Sequence, residues 1–413
     1  MAIELQTHSK AVETDKIRVI IDWLEENYEI RINSFDTSQT RIVSKEKKYD
    51  YPITLNDISI HLISDGLTCS DTLLRKIVTS RNYMRIYNPI LEYFNKVRGT
   101  YKGFSHIDYL AAHLKAVEFP DKTNGYYNIR AIKLLKKWIV AAAACALGKA
   151  PNDVMLVFVQ EQEGAGKTWL SKFLCPEELK EMLTVSSNDQ KVFSIEREFT
   201  SNFMVLFDEF LGLYGNNASE TFKATMSAPE VKIKTKNDPF PVAKPRIASA
   251  IATTNNKTGK YSGFLTKGLG TRRFAIIHLD SINFEYVSKI DVDQIWAEAL
   301  MLCESDTSFN YKWDQVDFEE FRDYNVRYMI ETPATVLISQ NYRQPSDGEE
   351  GVWLQPQDII SDLKERRLLK SEFIRDITPE RIGEALRSLG FVSKPKRFSG
   401  EKNPRYRYCL SRI

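Results

Sequence analysis

Hydrophobic spacing along the chain changes character near residue 150. Residues 14–28 (TDKIRVIIDWLEENY) place Ile17, Ile20, Ile21 and Leu24 at helical intervals. From residue 29 to about 60, short alternating stretches with Thr and Ser predict a small strand-rich segment. Residues 70–147 read as mainly helical and end in the apolar run WIVAAAACAL (138–147). Gly148 suits the end of that helix, with Pro151 just beyond it.

From about 153 to 279 the pattern becomes strand, loop, helix, the mark of an α/β core. The runs VMLVFV, FMVLF, IASAIATT and RRFAIIHL have the continuous apolar character of strands buried on both faces of a mostly parallel sheet. A helical pattern returns after Asp280, and the polar stretch QNYRQPSDGEEG (340–351) is expected to be a linker. The predicted organisation is a mainly helical domain over 1–150 with its strand-rich segment, an α/β core over 151–338, and a small domain over 350–413.

Composition narrows this picture in three ways. The formal net charge is only +2, so no global field would hold nucleic acid and any such contact must come from local patches. The five cysteines are scattered, odd in number and never in a C-x-x-C pair, which argues against a disulfide framework or zinc site and fits a reducing compartment. The N-terminus MAIELQTHSK has no apolar signal region, and the run 138–147 is about half the length needed to span a bilayer. A cytoplasmic protein without a membrane partner is expected.

The candidate chemistry sits at the ends of the core strands. DVMLVFV is followed by EQEGAGKT and then by TWLSKFL: a strand, a glycine-containing turn and a helix, the layout of a phosphate-binding loop. Gly164, Ala165 and Gly166 would let the backbone approach phosphates, Lys167 would reach the β- and γ-phosphates of ATP, and Thr168 would hold Mg²⁺. Trp169 is counted among the nucleotide-binding residues and, with Leu170, Phe173 and Leu174, is expected on the buried face of the helix. The consensus G-x-x-x-x-G-K-[ST] has its first glycine at position 161, where this chain has Glu161.

Three further signals follow in order. NFMVLFDEF (202–210) ends in Asp208 and Glu209, which are costly at the end of a buried strand unless they have work there: Asp208 for the Mg²⁺ water shell, Glu209 to polarise an attacking water. PRIASAIATTNN (245–256) ends in Asn255 and Asn256, and Asn255 is the candidate to sense the γ-phosphate. In GLGTRRFAIIHL (268–279), Arg272 or Arg273 could reach the γ-phosphate of a neighbouring subunit and stabilise charge in the transition state. Together these predict an ATPase.

With these motifs in hand, the chain resembles the virulence-associated protein E family, helicase-like proteins of phages and mobile elements close to the superfamily III helicases. The resemblance runs from about residue 28 to 279 and includes YEIRINSF, YNPILEYF, RIASAIATTNN and GTRRFAII. It implies a P-loop AAA+-like core forming a ring, often a hexamer, with ATP between subunits and single-stranded DNA, or RNA, in the pore. Lys167, Thr168, Asp208, Glu209, Asn255 and Arg272 or Arg273 fall on the family's motif positions. Glu161 departs from them and puts the loop's geometry in question. Many relatives carry an upstream primase domain. None precedes residue 1, so primer synthesis is not expected of this chain, and a separate primase or other replication protein would be its partner.

Two basic segments are candidates for nucleic acid. In APEVKIKTKNDPFPVAKPRI (228–247), Lys232, Lys234 and Lys236 alternate with Val231, Ile233 and Thr235, and Lys244 and Arg246 follow on the return. Related helicases project a hairpin into the pore at this position, where lysines would track phosphates. The end of the chain resembles a winged helix, with helices expected at 356–369 and 376–390 and a hairpin turning near SGEKNP. Lys394, Lys396, Arg397, Arg405 and Arg407 are its candidate contacts, with Phe398, Tyr406 and Tyr408 able to stack on bases or to pack the wing. The reading is an ATP-dependent translocase or helicase in phage or mobile-element replication. A nucleotide-gated DNA-binding, loader or switch protein that does not unwind is the alternative.

Overall fold

The sheet at the centre of the chain is built from the apolar runs that the sequence singles out. The computed structural model describes residues 16–36, 39–46, 51–186, 194–210, 216–234, 240–255, 263–266, 269–305, 309–330, 332–346, 348–369, 377–398, 400 and 403–413. It divides into two units, residues 1–96 and 97–413.

In the first unit a helix over residues 16–27 (α1) runs into β1 (Tyr28–Asn33), which pairs antiparallel with β2 (Thr40–Ser44) and parallel with β3 (Arg85–Tyr87). Helices α2 (Leu55–Ser64) and α3 (Asp71–Val78) lie between β2 and β3 in sequence, and α4 (Pro89–Val97) follows β3. Residues 55–60, expected to be extended, are helical. Thr54 and Asp57 form a reciprocal capping box that satisfies the first turn and overrides the local alternation. Tyr28, Ile30 and Ile32 share one core with Ile20, Leu24, Ile58, Leu62 and Leu74.

The second unit opens with α5 (His106–Ala112), β4 (Leu114–Ala116) and the long α6 (Tyr126–Ala146), whose C-terminal half is buried and ends just before Gly148 at φ 69°. Next come β5 (Met155–Val159), α7 (Lys167–Phe173), β6 (Leu183–Ser186), α8 (Ile195–Ser201), β7 (Met204–Phe207) and α9 (Asn216–Ser227). The hairpin β8 (Glu230–Ile233) and β9 (Val242–Pro245) precedes β10 (Ser249–Thr254) and β11 (Phe274–Ile282). The six-stranded sheet has the order β4-β11-β5-β10-β7-β6, parallel except for β4. Every residue of β5, β7 and β10 is buried: β5 and β7 are apolar throughout, and β10 also buries Ser249, Thr253 and Thr254.

Residues 97–150, expected with the N-terminal domain, lie in the second unit. Strand β4 pairs with β11, and α6 packs on β10 and β11 and on α10 (Val292–Glu304). Helix α11 (Gln315–Asn325) is tied to α6 by buried charge. Lys137 and Lys133 both donate to Asp317, while Arg130 reaches Glu320 at 2.6 Å and the Ile276 carbonyl at 2.6 Å.

The chain ends in α12 (Pro333–Asn341), β12 (Tyr342–Arg343), β13 (Val352–Leu354), α13 (Pro356–Glu365), α14 (Pro379–Ser388), β14 (Ser393–Lys396) and β15 (Arg405–Arg412). Thr378 caps α14, with Pro379 at its first position. The stretch 340–351 is not a linker: Tyr342 and Arg343 pair with Arg412 and Ser411, and Tyr342 is part of a core with Ile359, Leu363, Ile382 and Leu386.

The α6–α11 ion cluster gives a test of the fold. Burial alone would raise the Asp317 carboxyl, but the Lys137 ammonium, the Asp314 backbone and Lys133 outweigh it and hold it below its usual 3.8. A group with a lowered folded-state pKa stabilises above the unfolded value, so this contribution is present at neutral pH and fades below about pH 4. Replacing Lys137 by Met should lower the unfolding free energy by about 3 kcal/mol in urea titrations at pH 7, and by less as the pH falls through that window.

Candidate functional site

Strands β5, β10 and β7 are neighbours and parallel, so their carboxyl ends open on one side of the sheet, where open α/β sheets bind ligands. The turn Glu161–Thr168 leaves β5 there. Gly164 and Gly166 adopt φ of 69° and 87°, the left-handed region that glycine enters without steric cost. Gly166 has a second reason to lack a side chain: a Cβ would stand 2.1 Å from Phe284 Cζ.

A cavity of about 420 Å³ lies in front of this turn. It is lined by residues 163–169, by Asp208 and Glu209 beyond β7, and by Thr253, Thr254 and Asn255 at the end of β10. Lys167 is buried, and its Nζ donates to Asn255 Oδ1 at 2.6 Å and to the Gln160 and Gln162 carbonyls at 3.2 Å. Burial pulls its ammonium below the ordinary lysine range, partly offset by the Asp208 and Glu163 carboxylates. Thr168 Oγ1 donates to Asp208 Oδ1 at 2.7 Å, and the Thr253 hydroxyl donates to the same oxygen. Glu209 takes a left-handed φ of 53°, sparsely populated for a side-chain-bearing residue, and its N–H donates to Thr253 Oγ1 at 3.3 Å. The strained turn ends β7 abruptly and leaves both acids on the cavity wall.

The sequence-derived candidates therefore meet in part. Lys167, Thr168, Asp208, Glu209 and Asn255 line one cavity with Gly164, Ala165 and Gly166, whereas Asn256 lies outside the described residues. Trp169 also lines the cavity but is not on a buried face. It is 43% exposed and stacks on Phe173, because a helix start at Lys167 sends Leu170 and Leu174 inward instead. Glu161 is exposed and not among the lining residues, so the missing glycine does not fill the cavity.

Thr253 was missed by motif spacing, although a hydroxyl closing an otherwise apolar strand beside an acid-tipped one is its signal. Gln160 and Gln162 act through backbone carbonyls and leave no sequence signal at all.

Arg272 and Arg273 stand elsewhere. Phe274 pairs with Met155, and the Arg273 carbonyl accepts from the Met155 N–H at 2.8 Å, so the pair marks the start of β5 while the glycine turn marks its end. Those ends are on the order of 13 Å apart along the strand. Arg272 is exposed. Arg273 is half-buried and donates to Ser227 Oγ at 3.2 Å; burial, then the neighbouring Arg272, lowers its pKa, against Asp153 and Glu220.

Among the basic candidates, Lys232 and Lys234 are exposed at alternate positions of one strand direction, whereas Lys244 pairs with Val231 and so faces the other side of the hairpin. Lys236 lies outside the described residues. Arg246 is 2% exposed and binds the Ala228 and Ala248 carbonyls, which ties it to the hairpin base rather than to a surface. Lys394, Arg397 and Arg405 are exposed and Lys396 is half-buried over the Trp353 ring. Arg407 is buried, its guanidinium 4.1 Å from the Phe398 ring centroid and bonded to the Lys396 carbonyl, so it is a packing residue. Tyr406 is exposed, while Tyr408 belongs to the core.

A sequence profile for the virulence-associated protein E-like domain matches residues 115–327, just over half of the chain. The chain belongs to the virulence-associated protein E-like domain family. The match begins later and ends later than the expected 28–279, and it takes in the cavity, the hairpin and α11, while YEIRINSF and YNPILEYF lie outside it. No curated protein matches the chain. Similar solved structures include the apo C-terminal region (305–718) of NrS-1, at 11% identity over 96% of this chain and 99% of that one with a TM-score of 0.43. Its A form is similar at 11% identity over 96% and 100%, with a TM-score of 0.42.

Two substitutions in the VapE-like region test this geometry. Gly166→Ala should destabilise by at least about 1–2 kcal/mol from backbone strain alone, with a further loss from the Phe284 contact. Adding Phe284→Ala should recover the second part and not the first, as read by the thermal midpoint.

Proposed function

We propose that the VapE-like region hydrolyses ATP and uses the cycle to move along single-stranded DNA. One observation carries the reading: a lysine and a hydroxyl from the start of α7, two acids beyond β7 and an amide at the end of β10 meet around a cavity of about 420 Å³ bordered by a glycine turn. A cavity of this size suits a small phosphorylated ligand. The backbone of Gly164–Gly166 and the start of α7 would cradle the phosphates. Lys167 would exchange its bonds to Asn255 and the two carbonyls for the β- and γ-phosphates. Thr168 and Asp208 would hold Mg²⁺, which supplies charge neutralisation on the phosphate oxygens. Glu209 would orient and polarise the attacking water. Asn255, released from Lys167, would contact the γ-phosphate and report its presence to β10.

The arginine pair sits too far from its own cavity to act there, which supports use in trans. Exposed Arg272 would reach a neighbouring subunit's γ-phosphate, while Arg273, anchored on Ser227, would hold its position beside the base of the β8–β9 hairpin. Such an arrangement needs a neighbouring subunit; on this reading the subunits would form a ring, with a hexamer the favoured number, and Lys232 and Lys234 would be the phosphate-tracking face. Lys394, Lys396, Arg397 and Arg405 would add a second basic surface. The chain's partners on this reading are single-stranded DNA and separate replication proteins.

ATP turnover should rise with single-stranded DNA and fall at least about 100-fold in Lys167→Ala, a loss of roughly 3 kcal/mol in transition-state stabilisation. No turnover by folded, assembled protein would leave the nucleotide-gated binding protein as the surviving alternative. Mixing Arg272→Ala with Lys167→Ala subunits should restore part of the activity, whereas absence of recovery would count against catalysis in trans.

A further inference from the structure

The first unit lies outside the matched span, and the nucleotide cavity makes no use of it. Its sheet carries an unusual register. In the order β2-β1-β3, Arg41 stands opposite Arg31 and Arg31 stands opposite Arg85. Paired residues share a face, so three arginines form a line across the sheet. The other face of β1, with Tyr28, Ile30 and Ile32, is committed to the core.

Like charges placed directly opposite each other destabilise a sheet, and compensation here is confined to the middle of the row. Arg31 pairs with Glu92, lies 3.8 Å from Glu29, and sits 4.4 Å from the centroid of the Tyr87 ring. Even so, its Nε is buried without a hydrogen-bond partner. Arg41 and Arg85 are exposed, and neither side chain has an ion pair or hydrogen bond among the described residues. With strands about 4.8 Å apart, the row spans roughly 10 Å.

We infer that this row binds the phosphate backbone of single-stranded nucleic acid. Guanidinium groups present paired donors that match phosphate oxygens, and a line of them set by strand spacing suits an anion that repeats along a chain. The Glu29 and Glu92 contacts are partly exposed and screened by water, so they do not prevent Arg31 from turning to a phosphate. Tyr87 is buried beneath Arg31 and is not free to stack on a base, so the row holds the backbone without reading sequence.

The test is binding of a fluorescent single-stranded oligonucleotide to the full chain across a salt series. Arg41→Gln with Arg85→Gln should weaken binding about tenfold or more and reduce the salt slope by about 1.4, two phosphate contacts at roughly 0.7 each. Its thermal midpoint should be no lower than the parent's, since a repulsion is removed. Lysines at both positions should retain most of the affinity. Unchanged affinity and slope in the glutamine variant, or no oligonucleotide binding by the parent, would overturn the inference. So would polyglutamate binding as tightly, charge for charge, which would assign the row to an acidic protein segment. Lys232→Gln with Lys234→Gln separates this row from the hairpin: loss confined to that variant sinks the row and leaves the proposed motor, and loss confined to the arginine variant does the reverse.

Discussion

The Asp208 carboxylate is the joint on which the site depends. It accepts hydrogen bonds from Thr168, at the start of α7, and from Thr253, on β10, while its own backbone closes β7 against Ser186. Three segments far apart in sequence thus meet at one oxygen atom. The Lys167 bond to Asn255 repeats the pattern one strand over. Both are charge-assisted bonds in a partly buried setting, where an unpaired charge would be heavily penalised. The penalty fixes the strand ends relative to the glycine turn, and the cavity is what remains between them.

The joint is held by a sheet with little freedom. With β5, β7 and β10 buried along their whole lengths, the polar side chains of the cavity gather at their carboxyl ends, Thr253 and Thr254 as the last residues of β10 and the rest just beyond the strands. The left-handed turn at Glu209 and the glycines before α7 are the places where the chain leaves the sheet abruptly enough to present side chains there. Behind the sheet, α6 is locked to α11 through Lys137, Lys133 and Asp317, and Arg130 reaches the backbone of β11. On the proposed reading this rigidity matters, because a signal from the γ-phosphate would have to travel from Asn255 along β10 to the hairpin that precedes it.

Charge on this protein works locally. A net +2 conceals distinct basic features: the Lys232–Lys234 face of the hairpin, the exposed Lys394 and Arg405 of β14 and β15, and the arginine row of the first unit. Basic residues of the same segments have opposite fates. Arg246 and Arg407 are buried, and each donates to a backbone carbonyl rather than facing solvent. Arginine's long apolar stem and five donors let it serve either use, so its presence in a basic run does not say which.

By itself the sequence determined the local physics: which runs are buried strands, where α14 is capped, where glycine lets the chain turn, and which polar residues stand at strand ends. Those depend on neighbours a few residues away, so spacing carries them. It also carried the main candidates, Lys167, Thr168, Asp208, Glu209 and Asn255, because each directly follows an apolar strand or turn. The tertiary structure decided what depends on partners distant in sequence. Strand order brought Thr253 to Asp208 and set Arg272 and Arg273 at the opposite end of β5; cross-strand pairing turned Lys244 away from Lys232 and aligned Arg41, Arg31 and Arg85. It also exposed Trp169, buried Arg407, and paired Tyr342 and Arg343 into a sheet. Period-2 and period-3.6 patterns tell inside from outside within one element, but they hold no information on which element lies next to it.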